Sequence, residues 1–356
     1  MKLVQKAHLL DKEHAVAERQ RVVAVGAANM DIAGSTGHVL AAGDSIPGRI
    51  RCAPGGVARN VAENLARFGL DVRLLSVVGD DLYGRSLLDG TRKTGVDVRG
   101  CEVLGGQATS TYLSLHGPDG DMAAAVNDMS ILEQITPAWL QRRAARLRHA
   151  AALVLDCNLS PDALGWLFAH TPGVPVFADC VSAFKCRRLL PWLGGVHTLK
   201  ANRLEAQALC GQPVRTDRQI ERAARWLHVQ GVQQVVLSLG ARGVYWSERT
   251  GESGIERTGE AGGARTGETA SARTGEAGGA RTGASGWQAA LPVVVVNATG
   301  AGDALMAGLL YDHLHGAALA QAVSFASGCA ALTLTAPHAN HLGLSVAAVQ
   351  QLRNGR

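Results

Sequence analysis

The sequence has few aromatic residues, and this scarcity bears on its partners. Aromatic side chains make up 4% of the 356 residues, and the 35 lysines and arginines form no basic run interleaved with them. Nucleic-acid binding is therefore not favoured. The net charge of +5 suits an anionic small molecule such as a nucleotide equally well.

Paired cysteines and an export signal are also missing. The seven cysteines contain no Cys-x-x-Cys pair, which predicts free thiols in a reducing compartment and no structural zinc. Residues 1–20 alternate charged with apolar side chains, unlike a secretory signal or a membrane span. We therefore expect a cytoplasmic protein with a charged leader at 1–20 and with no membrane or nucleic-acid partner.

Strand-like and helix-like stretches alternate over residues 21–356. Such alternation predicts one α/β domain with a doubly wound, mostly parallel sheet and helices on both faces. Ligands bind beyond the carboxyl ends of the strands in such sheets. The predicted strands are Arg21–Val25, Val72–Val78, Val96–Val103, Ala151–Asp156, Val174–Asp179, Thr198–Lys200 and Val235–Leu239. The predicted helices include Gly56–Phe68, Gly84–Gly95, Thr136–His149, Asp162–His170, Asp217–Gln230 and Ala322–Leu334.

Two segments interrupt this alternation. Residues 32–53 are polar and rich in glycine, and residues 110–126 alternate around a turn at Gly117–Gly120. We interpret them together as a small antiparallel β flap.

An octad repeat fills residues 249–285. Its five copies begin at Arg249, Arg257, Arg265, Arg273 and Arg281. Arg, Thr, Gly, Glu and Ala offer almost no apolar surface to bury, so the repeat predicts a low-complexity loop. We expect it at the tip of a hairpin between strands Val244–Ser247 and Leu291–Val296.

The stretch VVVVNATGAGDALMAGLL, residues 293–310, carries the chemistry most directly. Its valines predict a strand buried on both faces, Thr299–Gly302 a turn, and Ala304–Leu314 a helix. The backbone N–H groups of Gly300, Ala301 and Gly302 would bind an anion at the start of this helix. Asp303 would then accept a proton from an attacking hydroxyl, although an acidic residue there is also an ordinary helix cap.

Four further clusters are candidates for binding. Asn29 with Asp31 suits sugar hydroxyls; Gly55 and Gly56 with Asn60 suit a ligand at a helix start. Asn202 with Glu205 suits water around Mg²⁺, and Gly240 with Gly243 suits the phosphates of a nucleotide. Ordinary turns and helix starts explain each cluster about as well when it is taken alone.

Common nucleotide motifs are absent. The sequence has no Gly-x-x-x-x-Gly-Lys-Ser/Thr loop, and GAANMD after the first strand lacks the Gly-x-Gly-x-x-Gly spacing. In their order, GGVARNVA at 55–62, NRLE at 202–205 and NATGAGDALMAG at 297–308 resemble the ribokinase-like (PfkB) family of carbohydrate and nucleoside kinases. Asn297-Ala298 and Asp179-Cys180 depart from its usual Asp-Thr and Asp-Pro, and the first change bears on a monovalent-cation or nucleotide contact.

The resemblance implies an ATP- and Mg²⁺-dependent kinase acting on the 5′-hydroxyl of a small-molecule nucleoside. It implies Asp303 as general base with the anion hole of Gly300, Ala301 and Gly302. The residues implied to bind ribose are Asn29, Asp31, Gly55, Gly56 and Asn60, with Thr111 and Asn127 reading the base. Those implied to bind ATP are Asn202, Ser238, Gly240 and Gly243, and Glu205 and Asn202 would hold Mg²⁺ through water.

Several alternatives stay open at this point. The acceptor is another nucleoside or a sugar such as ribose in one alternative, and in another the protein is a catalytically silent sugar- or nucleotide-binding regulator. The intact motif around Asp303 argues against the regulator. Dependence on a monovalent cation, and a homodimer formed through the flap, are also left open.

Overall fold

The computed structural model describes residues 21–250 and 282–355. In chain order, the strands are β1 (Val22–Val25), β2 (Asn29–Ser35), β3 (Arg49–Gly55), β4 (Val72–Leu75), β5 (Val77–Gly79), β6 (Glu102–Leu104), β7 (Thr111–His116), β8 (Met122–Asp128), β9 (Ala152–Asp156), β10 (Val176–Asp179), β11 (Thr198–Asn202), β12 (Gln234–Ser238), β13 (Val244–Arg249) and β14 (Thr282–Gln288). The α-helices are α1 (Val57–Arg67), α2 (Leu82–Lys93), α3 (Pro137–Gln141), α4 (Ala144–Arg148), α5 (Pro161–His170), α6 (Arg203–Cys210), α7 (Asp217–Val229), α8 (Ala301–Leu314), α9 (Leu319–Leu334) and α10 (Val346–Arg353).

An eight-stranded sheet forms the centre, in the order β14-β13-β12-β11-β10-β9-β1-β4. All its neighbours pair in parallel except at β12-β13 and β13-β14. The strands β1, β4, β9 and β10 are buried throughout, as expected for a parallel sheet covered on both faces. The predicted doubly wound α/β fold is confirmed.

Helices cover both faces of this sheet because alternate side chains of each strand point to opposite sides. Val22 and Ala24 belong to one apolar core with helices α1, α8 and α9. Val23 and Val25 belong to another, which includes residues of α3, α4 and α5. The carboxyl ends of the central strands are thereby left for a site.

The predicted flap is a second sheet with the order β3-β2-β7-β8. The pairs β2-β3 and β7-β8 are antiparallel, but β2 and β7 run parallel, so the flap is mixed and not purely antiparallel. The predicted turn is present, since the N–H of Gly120 donates to the carbonyl of Gly117. Asn29 and Asp31 both lie within β2.

Three predicted elements are divided or shortened. Val72–Val78 forms two strands, because the buried Ser76 between them donates its hydroxyl to the carbonyl of Gly26 and the chain turns away from the large sheet. Of Val96–Val103, the part from Glu102 pairs as β6 with β5. The predicted helix Thr136–His149 is two short helices, α3 and α4.

The predicted strand Leu291–Val296 is wrong. This stretch has no regular structure, and Val294 is 83% exposed. The second hairpin strand is β14, which consists of most of the fifth octad. Aromatic contacts fix this pairing, since the ring centroids of Trp287 and Tyr245 lie 4.9 Å apart. The residues 251–281 of the repeat lie outside the described part, so the loop there stays a prediction.

No helix within the described ranges 21–250 and 282–355 is long and apolar enough to cross a bilayer.

Candidate active site

Helix α8 begins in a turn that only glycine can form. It starts at Ala301, three residues before the predicted start, and Gly300 is its N-cap with a φ of 83°. A Cβ at Gly300 would collide with the backbone carbonyl of Ala339. No side chain caps this helix, so its first N–H groups and its positive dipole end are left for an anion.

Asp303 lies in the first turn of α8, beside these N–H groups, and is 8% exposed. The side-chain N–H of Asn60 donates to its Oδ2 over 2.8 Å. Burial, followed by the negative charge of Asp179, raises the pKa of Asp303 to about 7, against the opposing effects of Lys200 and Asn60. A carboxylate with a pKa near neutrality suits a general base.

Lys200 and Asp179 form a buried ion pair next to this turn. Lys200 Nζ lies 2.6 Å from Asp179 Oδ2. Burial disfavours the ammonium, but the carboxylates of Asp179 and Asp303 outweigh burial and raise the pKa of Lys200. A Cβ on Gly302 would lie only 2.7 Å from Lys200 Nζ, so a positive charge lies against the turn at the start of α8.

Lys200 and Asp156 are two site residues that were not predicted from the sequence. Asp156 ends β9, and its carboxylate accepts hydrogen bonds from the backbone N–H groups of Ala27, Ala58 and Asn158 at 2.8–3.1 Å. It therefore ties together the ends of β1 and β9 and the start of α1. A charged residue at the end of an apolar strand was the signal available for both.

Lys185 was missed as well. Its Nζ donates to Asn158 Oδ1 over 2.6 Å, beyond the end of β9. Burial lowers the pKa of Lys185, whereas Asp156 raises it. The preceding loop contains Val181 with a φ of 61°, a conformation that costs a β-branched residue free energy.

The flap end of the site brings together the residues expected to bind sugar. Asn29 donates its side-chain N–H to Asp31 Oδ1 over 2.6 Å, and burial raises the pKa of Asp31. A Cβ at Gly55 would collide with the Asp31 carboxylate, and one at Gly56, where φ is 98°, with the carbonyl of Ala27. The glycines thus allow the chain to pass close to both polar groups.

Thr111 and Asn127 cannot act as a pair. Thr111 is opposite Asp128, and Asn127 is opposite Tyr112, so their side chains lie on different faces of the flap. Tyr112 is also opposite Asp31, so Asn127 is the one on the face of Asn29 and Asp31, which are expected to bind the sugar. The two side chains therefore cannot contact the base from the same face of the flap.

The predicted nucleotide side is built on the ends of β12 and β13. Ser238 ends β12, and its hydroxyl approaches the carbonyl of Ala201 at 3.5 Å. The loop after it is tight, because the N–H of Leu239 donates to the carbonyl of Gly243 over 2.8 Å. Gly240 and Gly243 both have positive φ, at 62° and 91°.

Asn202 and Glu205 form a reciprocal capping box at the start of α6. Asn202 Oδ1 accepts from the N–H groups of Leu204 and Glu205, while Glu205 Oε2 accepts from the N–H of Asn202 over 2.7 Å. The two residues therefore form an ordinary helix start, which was the alternative explanation of this cluster. Burial raises the pKa of Glu205, despite the opposing charge of Lys200.

In the part of the chain that the structure describes, no group of three or more His, Cys, Asp or Glu side chains could hold a metal ion directly. Glu205 keeps one carboxylate oxygen outside the capping box. The residues thus fit a Mg²⁺ that keeps its own water shell and phosphate ligands, as Mg²⁺ commonly does.

Comparison with known proteins decides the family. The pattern of the pfkB family carbohydrate kinases matches residues 19–261 and 273–345. The chain belongs to this family. It is 40% identical to the pseudouridine kinase of Escherichia coli K12 over 335 residues, which cover 94% of this chain and 97% of that one. It is 39% identical to an uncharacterized sugar kinase, YeiI, of the same organism over 345 residues, or 97% and 86% of the two chains.

A solved structure shows the same fold. Arabidopsis thaliana ribokinase, complexed with ribose and ATP, superposes with a TM-score of 0.75 at 20% identity, covering 94% of this chain and 98% of that one. The predicted ribokinase-like family and fold are thus confirmed, as is a phosphotransferase that uses an alcohol group as acceptor. The pfkB kinase acts on a sugar or a nucleoside.

Proposed function

We propose that this pfkB kinase transfers the γ-phosphoryl group of ATP to the 5′-hydroxyl of pseudouridine. The observation that carries the proposal is the buried Asp303 beside the uncapped start of α8, with the Lys200 ammonium against the same turn. The 40% sequence identity to the Escherichia coli pseudouridine kinase, over 94% of this chain, supports pseudouridine as the acceptor. The similar identity to YeiI keeps another nucleoside, or a sugar such as ribose, as the alternative.

The proposed mechanism assigns the proton to one side chain. Asp303 accepts the proton of the 5′-hydroxyl as the phosphoryl group moves. The N–H groups of Gly300, Ala301 and Gly302 stabilise the charge on the transferring group, and Lys200 adds a positive charge at short range. A catalytically silent regulator would not need the buried Asp303 carboxylate and the Lys200 ammonium beside it. Their presence disfavours that alternative.

ATP would lie along Ser238, Gly240, Gly243 and Asn202. The exposed, apolar Val294–Val296 segment offers a surface for adenine, and the N–H of Val296 donates to the carbonyl of Leu334 at the end of α9. Glu205 and Asn202 would hold Mg²⁺ through water, and the ion would offset phosphate charge.

A monovalent-cation requirement stays open at Asn297. The side chain of this residue accepts from the N–H of Thr299 over 2.9 Å and donates to the carbonyl of Pro337 over 3.3 Å. Where the family usually has Asp-Thr, the amide thus binds the protein itself. Comparing activity in potassium and in tetramethylammonium salts tests the requirement.

The ribose would lie between the flap and α1. Asn29 and Asp31 would bind its vicinal hydroxyls, Gly55 and Gly56 would let it approach the backbone, and Asn60 would reach it one turn into the helix. Asn127, on the same flap face as Asp31, is the remaining candidate for the base. Closure of the flap would exclude water, which could otherwise accept the phosphate.

The outer face of the flap would pair with a second copy of the chain. Leu113 is opposite Val126 in the β7-β8 pair, and both are exposed, at 43% and 69%. Ile50 on β3 is 77% exposed and is opposite Gly34 on β2. Gly34 is in turn opposite Leu115, two residues from Leu113, so Ile50 lies on the same face as Leu113. An apolar face across a whole sheet suits an interface. We place this homodimer in the cytoplasm.

Replacing the proposed base tests the mechanism. Asp303→Asn should bind pseudouridine with near-normal affinity and lose turnover by at least about a thousandfold, since proton acceptance and its geometry are lost together. Asp312→Asn, the same substitution at the other end of α8, is the matched control and should keep turnover. Near-normal turnover in Asp303→Asn would remove Asp303 as the base.

A further inference from the structure

Arg59 is a buried arginine next to Asn60 in the first turn of α1. It is 4% exposed. Its donors bind groups on several different segments, which is unusual for one side chain: Asn60 Oδ1 at 2.8 Å, Asn340 Oδ1 at 3.1 Å, Thr91 Oγ1 at 3.1 Å, the carbonyl of Pro54 at 3.2 Å, and the carboxylate of Glu63. Arg59 therefore links the flap, α1, α2 and the loop before α10.

The contact with Asn60 has a directional consequence. A side-chain amide presents an oxygen on one side and N–H groups on the other, whereas a guanidinium carries donors alone. Since Arg59 occupies the oxygen of Asn60, the N–H groups of Asn60 must point the other way. They point to Asp303, whose Oδ2 accepts one of them over 2.8 Å.

A second support comes from Asn340. Its side-chain N–H groups donate to the backbone carbonyl of Asn60 over 3.0 Å and to Asn64 Oδ1 over 2.7 Å. The preceding residue, Ala339, is the one whose carbonyl lies against Gly300. One loop thus supports both Asn60 and the turn that binds the phosphate.

We propose that Arg59 is a positioning residue, whose guanidinium fixes the amide of Asn60 so that its N–H group faces Asp303. The inference rests on the proposed role of Asp303 as base. Without Arg59, the amide of Asn60 is free to rotate and to present its oxygen to the Asp303 carboxylate, which removes a hydrogen bond to the charged form.

Other charges around Asp303 and Arg59 stay in place when Arg59 is changed. Asp303 interacts with Asp179, Lys200 and Asp156, which lie on or next to the strand ends. Arg59 itself interacts with Glu63, Arg67 and Asp31. Replacement of Arg59 by lysine retains the positive charge among these groups and removes the fork that binds Asn60 and Asn340 together. A changed pKa of Asp303 would then report the Asn60 contact.

The test is the dependence of kcat on pH for Arg59→Lys. Loss of the hydrogen bond from Asn60 raises the pKa of Asp303, so the acid limb of the profile should move up by about one pH unit. Turnover should fall about tenfold below that limb and recover toward the wild-type value at high pH. Thermal unfolding of each variant measures any structural loss separately.

Arg73→Lys is the matched control. Arg73 is also a buried arginine, ion-paired with Asp97 at 2.8 Å, and is far from the proposed chemistry at the edge strand β4. It should lose stability with an unchanged pH profile. Arg59→Met is the second variant, because Glu63 keeps its ion pair with Arg67 when the guanidinium is gone.

The outcomes separate this inference from the proposed function. If Asp303→Asn is inactive and the folded Arg59 variants keep the wild-type acid limb, the positioning role is refuted and the base is retained. If Asp303→Asn turns over normally, Asp303 is not the base. The proposed mechanism is then contradicted, and with it the premise of the inference about Arg59. A shifted limb in Arg59→Lys, with none in Arg73→Lys, supports the inference.

Discussion

The buried charge of Asp303 should make the protein less stable at high pH, and Asp303→Asn should remove this cost. Burial and the neighbouring Asp179 raise the pKa of Asp303 from 3.8 to about 7. Each pH unit of difference between the folded and unfolded pKa corresponds to about 1.4 kcal/mol, which gives about 4 kcal/mol well above pH 7. Lys200 loses one of its carboxylate neighbours in the variant, so we expect a net gain of about 2–4 kcal/mol.

The sign follows from linkage. The folded pKa is the higher one, so the stability associated with protonated Asp303 is fully present below pH 4 and is lost as pH rises through 7. The variant carries a neutral amide of nearly the same shape at every pH. Asp303→Asn and the wild type should therefore be equally stable near pH 4 or below, and the advantage of the variant should grow as the pH rises from 4 to 7.

Thermal unfolding between pH 4 and pH 9 measures this directly. We expect the variant to melt several degrees above the wild type at pH 8.5, because one kcal/mol shifts the melting temperature of a large domain by about 2–4 °C. The pH 4 measurement is the internal control. A variant that is less stable than the wild type at pH 8.5, or a difference that does not change with pH, would refute the reasoning about Asp303.

Three further predictions concern turnover and assembly. Deleting Arg257–Ala280, three whole octads, should change kcat by less than about twofold, because such residues bury little surface; a large loss would make the repeat a working lid. Gly300→Ala should lower kcat by about a hundredfold or more, since its Cβ would collide with the carbonyl of Ala339; wild-type kinetics would contradict the role of the turn. Leu113→Asp on the outer flap face should yield monomers in sedimentation if the flap forms the dimer; an unchanged oligomer would exclude that interface.

The parts of the molecule predicted well from the sequence are those encoded locally. Neighbouring residues determine the strand-helix alternation and the glycine turn before Asp303. Periodicity and turn propensity are therefore enough to predict them. The valine run before that turn is apolar in the same way as a buried strand, but strand β14 pairs with β13 in its stead. A run of valines carries no information about its partner.

Contacts between distant segments explain the remaining errors. Lys200 and Asp156 each end a predicted apolar strand, but their partners became visible only when β9, β10, β11 and the start of α1 were brought together. Thr111 and Asn127 lie on different faces of the flap because facing in a hairpin depends on register, and the β7-β8 register shifts between Leu115 and His116. One residue of slip moves a side chain to the opposite face of the sheet.

The acceptor is tested most directly by ADP release with Mg-ATP, comparing pseudouridine with uridine, adenosine and ribose at equal concentrations. We predict a strong preference for pseudouridine in kcat/KM, with the phosphate on the 5′-oxygen of the product. Preference for another acceptor would contradict the proposed substrate while retaining the pfkB fold and the role of Asp303. If none of the four acceptors causes ADP release, the proposed function as a whole is contradicted.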